Sequence, residues 1–133
     1  MLVIIAGMCK AVSDTLAHHF EQSIFCKTAN QPGASWNKYQ FWNPQISWSA
    51  KWKNGDPKQG EAFPLSSTVL VFLTDGWHLF NFIQYTCLTL ALVVFKLQEP
   101  MVSLWVDVAL MAILFRVVFQ FCYSKVFVKT KPG

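Results

Sequence analysis

The sequence predicts an all-α integral membrane protein: a three-helix transmembrane bundle with an irregular, tryptophan-rich cytoplasmic loop between its first two helices. Three observations lead there. Of 133 residues, 53% are hydrophobic and only 14% charged, against about 45–50% and about 25% in an average soluble domain. Two runs in the C-terminal half are long and nearly free of charge, and a third apolar stretch opens the chain with its polar residues on one face. This balance excludes a disordered chain and an ordinary water-soluble enzyme, and the length fits one membrane domain over residues 1–133.

Helix 1, about residues 2–26, is interrupted by Lys10, Asp14, His18, His19 and Glu21. At 100° per residue, Lys10, His18 and Glu21 fall within about 40° of Asp14, while Ile5, Cys9, Val12, Leu16 and Phe20 gather opposite. The expected arrangement is a spanning helix with its polar stripe turned into the bundle; a helix lying in the interface is the alternative. The opening MLVIIAGM has no basic flank and meets Lys10 and Asp14 where a small-residue cleavage site would stand, so it reads as a retained helix.

Residues 27–64 form the loop. Asn43-Pro44, Asn54-Gly55 and Asp56-Pro57 are turn formers, and short extended pieces between turns are expected. Trp36, Trp42, Trp48 and Trp52, interleaved with lysines, read as a membrane-interface belt facing anionic lipid phosphates. The run from Lys53 to Glu61 lacks the spacing of a phosphate loop, and nothing favours nucleic acid as a partner.

Helix 2 is expected over about 66–97, capped by Ser66 or Ser67 after Pro64. On it Ser67, Thr74, His78, Asn81 and Tyr85 form a polar stripe that suits a helix or subunit interface better than lipid. Helix 3 is expected over about 101–123, entered through Pro100, and a basic tail follows over 124–133. About 20 apolar residues cross a hydrocarbon core of about 30 Å, and both segments reach that length. Lys27, Lys38, Lys51, Lys53 and Lys58 in the loop, with Lys125, Lys129 and Lys131 in the tail, outweigh Lys96 at the helix 2–3 hairpin. Positive-inside reasoning therefore places a multi-pass protein in the cell membrane, with the N-terminus outside and the loop and C-terminus cytoplasmic.

The polar residues suggest chemistry. Asp14 with His18, and Asp75 with His78, are carboxylate–imidazole pairs at helical spacing, the material from which bundles build metal or acid–base sites. Asp14, His18, Asp75 and His78 are candidate ligands for a divalent metal such as Zn, Mn or Fe. Glu21 or Glu61 would act on a metal-bound water. Counting depth along the helices, Lys10 is expected to pair with Asp107, and Arg116 to meet the Asp14/Glu21 stripe. The same polar residues could instead be a hydrogen-bonded network that fixes helix register. The four cysteines lie in apolar stretches without C-x-x-C spacing and read as packing residues.

Three function classes remain open from these residues. One is metal-assisted hydrolysis of a lipid or lipid-linked substrate at the inner leaflet. Another is a homo-oligomeric pore or membrane-perturbing effector in which histidine charging between about pH 5 and 8 gates conduction. The third is a membrane adaptor that recruits a protein partner through residues 30–64.

Overall fold

A computed structural model describes residues 1–29, 40–98 and 103–128, which are mostly helical and contain no named strand. Trp36, Lys38, Pro100, Lys129 and Lys131 lie outside the described residues. The principal helices are α1 (Leu2–His18), α2 (Ile24–Ala29), α3 (Pro44–Ser47), α4 (Gly76–Leu97) and α5 (Leu104–Phe121). Helix α5 continues through wider π-type turns over Cys122–Phe127. Two of these, Gly76–Leu97 and Leu104–Phe127, are long and apolar enough to cross a membrane.

Helix α1 is the centre of the bundle. Its buried residues are Ala6, Gly7, Cys9, Ala11, Val12, Ser13, Thr15 and Leu16, mostly small side chains that let neighbouring backbones approach closely. A Cβ placed on Gly76 would lie 3.2 Å from Leu16 Cδ1, and Val3 shares a cleft with Ala91 and Phe95, so α1 runs antiparallel to α4. A Cβ on Gly7 would lie 3.0 Å from the Phe115 carbonyl, and the His19 and Tyr123 rings are 5.5 Å apart, so α1 runs parallel to α5. The outward flanks of α4 and α5 remain exposed and apolar.

Helix 1 is shorter than the sequence suggests. His19 takes φ −136°, which ends α1, and one 3-10 turn, Phe20–Gln22, follows. The Ser23 hydroxyl then accepts from Cys26 N at 3.3 Å and starts α2. Helix 2 likewise begins ten residues late, at Gly76, because Asp75 is the cap that forms: its side chain accepts from His78 N. Ser66 is used elsewhere, donating to the Lys51 carbonyl at 2.8 Å. Ser67 and Thr74 therefore lie off the helix, and the expected Ser67/Thr74/His78/Asn81/Tyr85 stripe is broken.

The loop is also more helical than expected. Asn43 accepts from Gln45 N to cap α3, and 3-10 turns occupy Lys53–Gly55 and Pro57–Gln59. Trp52 and Glu61 pair in an isolated antiparallel bridge, closing a small hairpin. Trp42 fastens this unit to the bundle. Its ring stacks on Phe25 at 5.0 Å and on Phe80 at 6.1 Å, with Phe41 edge-on at 5.0 Å. Phe127 meets Phe25 at 5.4 Å, so the tail joins the same aromatic stack.

Candidate functional site

The junction between the loop unit and α4 gathers the most polar chemistry. Asp75 is 1% exposed. Its Oδ1 accepts from His78 N at 2.9 Å, and its Oδ2 lies 2.6 Å from His78 Nδ1. A carboxylate only accepts, so Nδ1 carries the proton of this bond. The pair thus orients a half-exposed imidazole beside the Trp77 ring, 4.9 Å away. Alone it is half of an acid–base set: among the described residues, Asp75 is the hydrogen-bond partner of the His78 side chain.

The other expected ligands lie elsewhere. Leu16 faces Gly76, and both Asp14 and His18 sit about 160° round the helix from Leu16. The polar stripe therefore points away from the α1–α4 seam and lies on the α5 side, within about 20° of Gly7, with His18 exposed. Among the described residues no group of three or more His, Cys, Asp or Glu side chains could hold a metal ion. The proposed Asp14, His18, Asp75 and His78 set is split between two faces and does not fit a Zn, Mn or Fe site. His18 and Glu21 border one shallow depression of about 240 Å³, with His19 and Gln45.

The expected ion pairs also rearrange. Lys10 donates to Asp14 at 2.6 Å, one turn along its own helix. Asp107, buried, instead borders a cleft with Met1 and Leu2, about 12 Å along α1 from the level of Lys10. Arg116 is exposed, its guanidinium 5.6 Å over the Phe119 ring, and no ion pair joins it to Asp14 or Glu21. Asn81 bonds back to the Trp77 carbonyl at 2.8 Å, and Tyr85 is exposed.

Glu61 serves a turn. Its carboxylate accepts from Leu65 N at 3.0 Å, from Ser67 N at 3.2 Å and from the Ser67 hydroxyl. These bonds hold Leu65 at φ 65°, a left-handed conformation that its Cβ disfavours. A carboxylate so occupied is poorly placed to act on a water. The Ser67 hydroxyl first, then the Leu65 and Ser67 amides, hold the Glu61 carboxyl below its usual pKa. A depressed folded value means the stabilisation is present above the ordinary carboxylate range and is lost as pH falls through the lowered value. Amide protection over residues 63–68, taken relative to each amide's intrinsic rate, should accordingly fall as pH is lowered in the parent chain and stay level in Glu61→Gln. An identical pH response in both proteins would remove the clamp.

Above α4 the loop unit encloses a cleft of about 870 Å³ walled by Phe41, Trp48, Trp52, Phe63, Asn54 and Thr74. Of the expected belt residues, Trp48 is 58% exposed, Trp52 is half-buried with Lys51 Nζ 5.6 Å over its ring, and Trp42 is spent in the aromatic stack. Sequence reasoning missed Phe25, Phe80 and Gly76 as partners of Trp42; nothing local signals a stack between residues so far apart. No family model, curated protein or solved structure matches the chain.

Proposed function

We propose that the chain is a multi-pass membrane adaptor, with its N-terminus outside and the loop and C-terminus cytoplasmic. In this reading, residues 40–75 offer the tryptophan-walled cleft to a protein partner. The topology draws support from lysine placement and from the shared aromatic stack, which keeps Phe25 and Phe127 at one end of the bundle. The adaptor role rests on the cleft itself. It sets an exposed indole among rings and amide side chains on one concave surface, and Trp is enriched among interface hot spots. Hydrolysis has weaker support, because its proposed ligands and bases are divided among three places and Glu61 is engaged by its own turn.

A benzophenone side chain at position 62, on the cleft wall, activated in native membranes, should yield a discrete protein adduct. Adding Trp52→Ala should cut the yield by an order of magnitude or more, since truncating a hot-spot tryptophan costs about 2 kcal/mol or more. Adducts only with lipid, or a yield indifferent to Trp52, would discard the adaptor.

A further inference from the structure

We infer that residues 65–73 form an additional bilayer contact, lying in the acyl–headgroup boundary beside α4 with Leu65 and Val69 turned to lipid. This rests on the reading of α4 as a membrane span. Leu65 and Val69 are 51% and 68% exposed, and Trp77, in the first turn of α4, is 41% exposed. Large apolar side chains grouped on one exposed surface mark a face that meets something other than water.

Depth carries the argument. The 22 residues of α4 measure about 33 Å, barely more than a hydrocarbon core of about 30 Å, so its first turns cannot stand clear of the membrane. Phe72 stacks on Phe82 at 4.0 Å with the rings 12° apart. Phe82 lies six residues inside α4, about 9 Å below Gly76. The segment therefore folds back along α4 to the depth at which interfacial elements rest, about 5–10 Å into the boundary.

Backbone polarity permits this placement. The amides of Ser66, Thr68, Leu70, Leu73 and Thr74 donate to carbonyls within the segment or next to it. Those of Leu65 and Ser67 donate to Glu61. Six of the nine amides in 65–73 are thus bonded locally, which lowers the cost of setting non-helical backbone at the boundary. The exposed residues Phe82 and Leu90 of α4 are apolar as well. A second copy of the chain is less suited, because close helix contacts in membranes favour small residues and this patch has none.

A diazirine side chain placed singly at positions 65, 69 and 90, with the full chain in phospholipid nanodiscs, tests this directly. The carbene inserts into whatever touches it, so the adduct's mass identifies the neighbour. Phospholipid adducts are expected at all three positions. Water adducts at 65 and 69 with lipid adducts at 90 would overturn the inference and leave the span intact. Water adducts at 90 as well would overturn the span and the inference together. Chain-to-chain adducts at 65 or 69 would assign the surface to a second copy and overturn the lipid contact.

Discussion

Gly7→Leu is expected to force α1 away from α5 and to lower the thermal unfolding midpoint in detergent by about 10 °C. A bare Cβ at this position would lie 3.0 Å from the Phe115 carbonyl oxygen and 3.2 Å from Val118 Cγ1. The first of those atoms is main chain on a helix and cannot rotate aside, so the helices themselves must part. Overpacking costs about 1–3 kcal/mol, and a rigid neighbour puts leucine at the upper end. At this chain length that corresponds to about 10 °C. Gly7→Ala should show a smaller loss, because only the Cβ must be accommodated. Equal midpoints for the parent and Gly7→Leu would mean that α1 and α5 do not meet through Gly7.

The sequence made the two long helices legible because length and apolar composition alone mark a helix able to cross a membrane. The Asp75–His78 pair was legible for a different reason, being local at three residues' separation. Helix α1 shows how a correct grouping can leave the partner undecided. Lys10, Asp14 and His18 do share a face, and Gly7, within about 20° of Asp14 and His18 on the wheel, turns that side toward α5; Gly7-x-x-x-Ala11 was the readable signal for a close approach. The start of α4 was misread because Ser66, Ser67 and Asp75 are all competent caps, and the choice depends on Ser66 reaching Lys51 across the hairpin. Pairings such as Lys10 with Asp107 required the axial register between two helices. That register comes from packing against Phe115 and Val118, which no spacing within a single helix encodes.

Asp75→Ala should be comparably damaging, because one buried carboxylate does two jobs. Losing an N-cap costs about 1 kcal/mol, and a hydrogen bond to a charged group contributes about 1.5–3 kcal/mol. The two terms overlap on one side chain, so the net loss is about 2–4 kcal/mol. Asp75→Asn separates them: asparagine caps as well as aspartate but lacks the charge held 2.6 Å from His78 Nδ1, so it should recover about 1 kcal/mol. Hydrogen exchange at His78 and Leu79, whose amides bond to the Asp75 side chain and carbonyl, should accelerate in the alanine variant and be partly restored in the asparagine variant. The consequence extends past the first turn of α4. Gly76 lies against Trp42, where an added Cβ would be 3.1 Å from the ring, and Thr74 is part of the cleft wall. A frayed α4 start would therefore loosen the stack that seats the loop unit, and crosslinking from position 62 should fall along with the unfolding midpoint. Asp75→Ala protein with parental exchange and an unchanged midpoint would show that the cap does not hold this junction.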